Sequence, residues 1–87
     1  MGLDDLQFVR TIIAEARRNG GVVSRNVIKE CYYADVEKNG VVESMTVSEK
    51  WIDYYSKKLN GVPFSQLERA SRSATEFPKL LMTLLGK

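Results

Sequence analysis

The chain has 87 residues and a net charge of +2, with 44% hydrophobic and 28% charged residues. A chain of this length has room for one hydrophobic core, which excludes a two-lobed enzyme, and its composition excludes a wholly disordered or low-complexity protein. We therefore predict a single folded domain over residues 1–87.

Histidine is absent, and Cys31 is the single cysteine. Without histidine the chain cannot form a His-based catalytic triad, and it lacks the Cys and His ligands of a structural zinc site. Cys31 follows the apolar residues Val27 and Ile28, a setting in which a thiol usually behaves as a small buried hydrophobic group. We therefore predict a non-enzymatic protein with no catalytic residues, no metal and no cofactor.

No stretch of the sequence is long enough to cross a membrane, because the most apolar one, residues 80–85, is far shorter than the roughly 20 residues of a membrane span. Asp4 and Asp5 stand where a secretory signal would carry positive charge, and one cysteine cannot form an internal disulfide. We expect a cytoplasmic protein without a membrane partner.

The spacing of apolar and helix-ending residues predicts an all-α bundle of four to five short helices. In the first helix, Leu6, Val9 and Ile13 follow one another at helical steps, and two glycines after it favour a left-handed C-cap. Ser24 is the predicted N-cap of the second helix. The predicted ranges are residues 3–18, 24–38, 47–59, 65–77 and 79–85.

Two capping boxes, in which Ser or Thr is followed three residues later by Glu, are predicted to open the third and fourth helices. Thr46 and Glu49 form the first box, and Ser65 and Glu68 form the second. Pro78 is expected to end the fourth helix, because proline lacks the N–H that would continue it, and it is also well placed to start another turn. The side chains expected to turn inward from the fourth helix are Leu67, Ala70, Ala74 and Phe77.

Charge is segregated along the chain although the net charge is small. Residues 10–29 hold five bases and one acid, residues 30–49 hold five acids and one base, and residues 50–87 hold seven bases and three acids. Two basic segments thus flank an acidic one. A basic face for phosphate groups explains this pattern, and so does a solvated surface on which the segments neutralise one another.

Residues 55–70, YSKKLNGVPFSQLERA, are the most informative run in the chain. The small residue Ser56 is followed by a turn glycine, Gly61, then by Val62 and by Leu67 as the anchor of the second helix. Over residues 52–74 this pattern resembles the helix-turn-helix of DNA-binding regulators, with Asn60 as an apparent extra residue before the turn glycine. The resemblance implies a small regulatory protein that places its fourth helix in the major groove of double-stranded DNA.

The resemblance makes the outward residues of the fourth helix the DNA contacts. Arg69 would bond a guanine through two hydrogen bonds and Gln66 an adenine, while Lys57 and Lys58 would hold phosphates. The alternative is that the arginines are solvated and pair with acids of the same helix. The predicted DNA-contacting residues are Lys57, Lys58, Ser65, Gln66, Arg69, Arg72 and Ser73.

A second candidate recognition helix lies earlier in the chain. Residues 24–29 followed by residues 36–42 resemble the recognition helix and wing of a winged-helix protein, and the Val-Val pairs at 22–23 and 41–42 are the strands that would form a two-stranded wing. Only one helix precedes this segment, whereas a winged helix usually has two. The alternative basic face consists of Arg17, Arg18, Arg25, Asn26 and Lys29.

The acidic residues 30–49 support a different function, that of a small inhibitor or adaptor that binds a larger protein. Tyrosines near the polar faces of their helices are expected to be exposed and to contribute to such a contact. The predicted partner-binding residues are Tyr33, Glu37, Glu43 and Tyr54.

Residues 80–85 are apolar almost all round a helix, so this segment must be buried or paired. Because so small a domain has difficulty in covering it, we expect a homodimer, and the alternative is an intramolecular lid on the bundle. The predicted dimer contacts are Leu80, Leu81, Leu84 and Leu85.

Overall fold

The computed structural model describes residues 5–40 and 44–85. Over these residues the chain folds into five helices and no strand, which confirms the all-α prediction. None of the described helices is long and apolar enough to cross a membrane. The helices are α1 (Asp5–Arg18), α2 (Arg25–Lys38), α3 (Met45–Leu59), α4 (Phe64–Ser71) and α5 (Glu76–Leu85).

Local signals set the end of α1 and the start of α2. Gly20 and Gly21 follow α1 with φ of +83° and +81°, a backbone conformation that favours glycine. The Ser24 hydroxyl accepts from the Val27 amide at 3.2 Å, which confirms Ser24 as the N-cap of α2. Residues 22–23 form no strand, so the described half of the predicted wing is absent, and residues 41–42 lie outside the described part of the chain.

α3 begins two residues earlier than predicted, because Ser44 rather than Thr46 is its N-cap. The Ser44 hydroxyl accepts from the amide three residues further on, at 3.2 Å. The Thr46–Glu49 capping box is wrong, since the Glu49 carboxylate accepts instead from Arg25 of α2. This ion pair, together with a second one between Arg25 and Asp53, joins α2 to α3.

The predicted fourth helix of residues 65–77 is two helices. α4 ends at Ser71, and the Ser73 hydroxyl accepts from the Glu76 amide at 3.1 Å, so a new helix begins at Glu76. Pro78 does not end α4 but lies in the first turn of α5, the other position predicted for it, where its missing N–H would have no helical partner. Ala74, which was expected in the core, is exposed in the loop.

All five helices contribute to one core. α1 packs on α2, α4 and α5, α3 packs on α2 and α5, and α4 packs on α5. The Phe8 ring contacts Tyr55 edge-on with centroids 4.9 Å apart, and Tyr32 at 6.1 Å. Burial raises the pKa of Tyr55 above its ordinary value, so its phenol stays neutral in the core.

α5 closes the bundle. Leu81 and Leu85 are buried, and Tyr54 of α3 donates its hydroxyl to the Leu85 carbonyl oxygen at 2.8 Å. Leu80 and Leu84 are half-buried against the core. The prediction that Leu81 and Leu85 are dimer contacts is therefore wrong, because the core of the same chain covers them, as the alternative of an intramolecular lid requires.

Candidate nucleic-acid interface

The outward side of α4 is exposed, as its helical period predicted. Leu67 and Ala70 face the core, and four of the side chains predicted to contact DNA face outward. These exposed residues are Ser65, Gln66, Arg69 and Arg72. Ser73 is different, because it is half-buried and its hydroxyl is already used at the start of α5.

The amino-terminal end of α4 has no side-chain cap. Pro63 precedes the helix, and its carbonyl oxygen accepts from the amides of the third and fourth helical residues. The predicted Ser65–Glu68 capping box is wrong, because the Glu68 carboxylate bonds arginines instead. The first amides of α4 are thus left without a side-chain partner, and helix amino termini in this state bind phosphate readily.

α4 lies against α1 and runs in the opposite direction. Arg17, in the last turn of α1, bonds Glu68 with 3.2 Å between Nε and Oε2. Arg10, two turns earlier, donates to the Ser71 carbonyl oxygen at 2.6 Å. Its guanidinium also lies over the Phe77 ring, 4.7 Å from the centroid. α1 therefore places two arginines along the edge of α4.

These residues form a positively charged surface, which we call the arginine surface and which consists of Arg10, Arg17, Arg69, Arg72 and Glu68. Four arginines and one carboxylate give it a net charge of +3. Glu68 bonds two of the arginines at once, Arg17 at 3.2 Å and Arg72 at 3.1 Å. Since each guanidinium carries five N–H donors, most of these donors remain free for an anion.

The alternative basic face of the sequence is divided in the structure. Arg18 pairs at 2.5 Å with an acid of its own helix, and Arg25 pairs with two acids of α3. Arg17 belongs to the arginine surface instead. Asn26 and Lys29 are exposed on α2. Two of the arginines expected on a winged-helix face are therefore neutralised by neighbouring carboxylates.

The order of helix, four-residue turn and helix is present in α3 and α4, but their packing differs from that of a helix-turn-helix. In that motif the two helices pack on each other. Here α3 packs on α2 and α5, α4 packs on α1 and α5, and the described residues of α3 and α4 are not a packed pair. The turn glycine Gly61 has no positive φ, and Asn60 caps α3 by donating to the Ser56 carbonyl oxygen at 2.8 Å.

Lys57 and Lys58, which were predicted to hold phosphates beside α4, are exposed on α3. Lys58 Nζ lies 5.9 Å from the centre of the Tyr54 ring. Within the described residues neither lysine pairs with an acid. The two lysines therefore belong with the aromatic residues of α3 rather than with the arginine surface.

The residues predicted to bind a protein partner are only partly accessible. Tyr33 and Glu37 are exposed on α2. Tyr54 is half-buried and bonded to Leu85, so the prediction that Tyr54 is exposed is wrong. Glu43 lies outside the described residues.

Cys31 is buried at a shallow pocket between α1 and α2, whose lining also includes Thr11 and Ala34. Burial, assisted by the carboxylates of Glu15 and Glu30, raises the pKa of the Cys31 thiol to about 11. The thiol is therefore protonated at neutral pH and is a poor nucleophile. In the part of the chain that the structure describes, no group of three or more Cys, Asp or Glu side chains is placed to hold a metal ion.

Arg10 is the residue of the arginine surface that the sequence did not single out. A signal for it exists, because Arg10 and Arg17 are seven residues apart on α1 and therefore share one face of that helix. The sequence does not show that this face lies beside α4, since that depends on contacts between residues about 50 to 60 positions apart.

Comparisons with known proteins place this chain in no family. No family model, no curated protein and no solved structure matches it. Inferences about function therefore rest on the chemistry of the described surfaces.

Proposed function

We propose that this chain is a small, non-enzymatic regulatory protein of the cytoplasm that binds double-stranded DNA through the arginine surface. The observation that supports the proposal is that α1 and α4 bring Arg17 and Arg72 together on the Glu68 carboxylate, with Arg10 of α1 bonded to the end of α4. Arginine binds phosphate through two parallel hydrogen bonds, and phosphate contacts supply essentially all non-specific affinity for DNA.

In this proposal α4 enters the major groove with its exposed side chains. An α-helix with its side chains is about 10 to 12 Å in diameter, which matches the width of the major groove, about 12 Å. Arg69 makes no ion pair within the described residues, so its guanidinium is available to bond a guanine, with Gln66 placed for an adenine. Arg10, Arg17 and Ser65 hold phosphates and fix the position of the helix.

The test measures the affinity of the protein for a fluorescently labelled generic duplex, by anisotropy at two salt concentrations. Arg69→Ala with Arg72→Ala should weaken binding about tenfold or more at low salt. The control, Lys29→Ala with Lys38→Ala, removes the same charge from exposed positions of α2 and should leave the affinity nearly unchanged. Circular dichroism of each variant checks that the helices remain folded.

Equal losses of affinity in the two double variants would show that the lower net charge alone explains the weaker binding, and would contradict the proposal. A loss confined to the variant of Lys29 and Lys38 would favour the winged-helix face on α2 in place of the arginine surface.

A specific observation also favours a second function, the binding of a protein partner. Glu30, Tyr33 and Glu37 lie at steps of three and four on α2, all three are exposed, and neither acid pairs with a cation within the described residues. Tyr33 packs edge-on against Tyr32 with centroids 6.0 Å apart, so its ring is held in place. The second proposal is an inhibitor or adaptor that presents this acidic stripe to a basic partner.

This second proposal is tested by capture from a cell extract on immobilised protein. The wild-type protein should retain a partner that the variant Glu30→Lys with Glu37→Lys does not retain. Glu76→Lys, a charge reversal at an exposed position of α5, serves as the control and should retain the partner. Equal retention by all three proteins would contradict the acidic stripe as the contact surface.

A further inference from the structure

α3 carries a second basic surface that is separate from the arginine surface. Its members recur at steps of three, four and seven residues, which places them on one face of the helix. The three lysines are exposed, and the two aromatic side chains between them are half-buried. We call this surface the lysine–aromatic face, and it consists of Lys50, Trp51, Tyr54, Lys57 and Lys58.

The charge of the lysine–aromatic face is not neutralised by acids of the same helix. Glu49 and Asp53 of α3 both bond Arg25 of α2, so they are held on the side of the helix that faces α2. Within the described residues, Lys50 and Lys57 make no ion pair. The face therefore presents a local charge of +3 with no carboxylate among its members.

The two rings are fixed in position by the fold. Tyr54 donates its hydroxyl to the Leu85 carbonyl oxygen at 2.8 Å, and its ring meets Trp51 at right angles, with centroids 5.7 Å apart. Trp51 also lies against the buried Tyr55 ring at 6.3 Å. Stacking of a ligand on these rings would cause little further loss of side-chain entropy, because the rings are already held in place.

Trp51 is only partly covered by the core. Its indole N–H makes no hydrogen bond within the described residues. Every side-chain nitrogen or oxygen that is buried there has a hydrogen-bond partner. The indole nitrogen must therefore be accessible. Trp51 thus combines a part of its ring system that packs against the core with a part that is available to a ligand.

We infer that the lysine–aromatic face binds single-stranded nucleic acid, with a base stacked on Trp51 and the adjacent phosphates held by Lys50, Lys57 and Lys58. Aromatic rings interleaved with cations are the features that proteins use to bind single strands, because every base has a stacking face and every linkage has a charge. A duplex does not offer this contact, since its base faces are covered by their neighbours in the stack.

The size of the face limits the length of strand that it contacts. Lys50 and Lys57 are separated by about 10 Å along the helix axis, so the face accommodates only a few nucleotides. The inference does not rest on the proposed duplex binding, because none of its residues belongs to the arginine surface.

Trp51 is the only tryptophan in the chain, so its fluorescence reports directly on this site. The experiment titrates the protein at low salt with a thymidine strand of about 12 nucleotides, a uridine strand of the same length and a DNA duplex. We expect saturable quenching by one or both single strands and none by the duplex. Quenching by only one of them shows that the site discriminates between thymidine and uridine nucleotides, which differ in the 2′-hydroxyl and in the base methyl group.

Variants separate this site from the arginine surface. Lys50→Ala with Lys57→Ala should weaken quenching by the single strand about tenfold, whereas Arg69→Ala with Arg72→Ala should leave it within about twofold. Trp51→Phe, which keeps an aromatic ring and should preserve the fold, should still bind a labelled strand in an anisotropy assay. Circular dichroism confirms that each variant is folded.

Three results would overturn the inference. The first is that neither single strand quenches the fluorescence. The second is that the duplex quenches it more strongly than the single strands do. The third is that the variant of Arg69 and Arg72 loses single-strand binding while the variant of Lys50 and Lys57 retains it. The last result would make the arginine surface the site that binds single strands. By contrast, a failure of the protein to bind the duplex would contradict only the proposed function and not the inference about the lysine–aromatic face.

Discussion

Glu68 both organises the arginine surface and competes with a ligand for it. The Glu68 side chain is 26% exposed, and its carboxylate bonds Arg17 and Arg72, so it occupies positions that phosphate oxygens would take in a complex. Ion pairs this close to the surface contribute at most about 1 kcal/mol to folding. The effect of Glu68 on anion binding should therefore exceed its effect on stability.

Glu68→Gln is expected to strengthen binding of a DNA duplex several-fold at low salt, because it removes the carboxylate that competes for two arginines. The free energy of unfolding should fall by no more than about 1 kcal/mol. Anisotropy and thermal unfolding measure the two effects, with Glu76→Gln on α5 as a control of equal charge. Unchanged or weaker binding by the Glu68 variant, relative to the control, would contradict the role given to this carboxylate.

Two buried groups predict how stability depends on pH. In the folded protein the pKa of Cys31 rises from 9.0 to about 11, and burial also raises that of Tyr55 above its ordinary 10.0. Both shifts favour the neutral forms in the folded state, so their stabilisation is complete below about pH 9 and is lost as the pH rises further.

The melting temperature should therefore change little between about pH 7 and 9 and should fall above that range. In Cys31→Ala the decline should begin about one pH unit higher, because Tyr55, the group that remains, ionises in the unfolded chain at about pH 10 instead of pH 9. A melting temperature that rises between pH 9 and 11 would show that the folded state does not hold these groups in their neutral forms.

At the scale of elements, the turn between α1 and α2 is linked to α4 through Gly21. Its φ is +81°, and a Cβ placed there would lie 3.4 Å from the Phe64 ring at the start of α4. Gly20 has a similar φ of +83°, but a Cβ there would meet nothing within 4 Å. Substitutions at Gly20 and Gly21 therefore separate the cost of backbone strain from the cost of contact with α4.

Gly20→Ala should lower the free energy of unfolding by about 1 to 2 kcal/mol, which is the cost of a left-handed conformation for alanine. Gly21→Ala should cost more than that, because the Phe64 ring must also move. Denaturant unfolding of the two variants measures the difference. Equal losses would show that α4 is not packed against this turn.

α5 provides a matched pair of neighbouring residues, Leu81 at 4% and Met82 at 60% exposure. Leu81→Ala should lower the free energy of unfolding by about 2 to 4 kcal/mol, because it leaves a cavity in the core, whereas Met82→Ala should change it by less than about 0.5 kcal/mol. Denaturant unfolding at two protein concentrations measures both effects. A large loss in the Met82 variant that depends on protein concentration would place Met82 in the predicted homodimer interface.

The helices could be predicted from the sequence where local chemistry decides them. Ser24 caps α2 as expected, since its hydroxyl needs only an amide three residues away. The capping boxes failed because Glu49 and Glu68 have stronger partners in Arg25 and Arg17, which are distant in sequence. The boundary between α4 and α5 was misplaced for a local reason, because proline is as compatible with the first turn of a helix as with the end of the preceding one.

At the scale of the whole molecule, the helical period predicted which residues of α4 are exposed, but not which elements surround them. The helix-turn-helix resemblance implied that α3 would lie beside α4, whereas the structure places α1 there. The charge of the surface thus depends on Arg10 and Arg17, whose proximity to α4 is a property of tertiary packing. The predicted homodimer remains a prediction, and Leu80 and Leu84, half-buried on α5, are the predicted contacts not fully covered by the core.

Binding of a labelled DNA duplex over a series of salt concentrations tests the arginine surface most directly. Three to four phosphate contacts predict micromolar affinity at low salt and a slope of log K against log salt of about −3. The slope should become shallower by about 1 for each arginine of the surface that is replaced by alanine. An absence of binding at low salt, or a slope near zero that the arginine variants do not change, would contradict the proposal that this surface binds DNA.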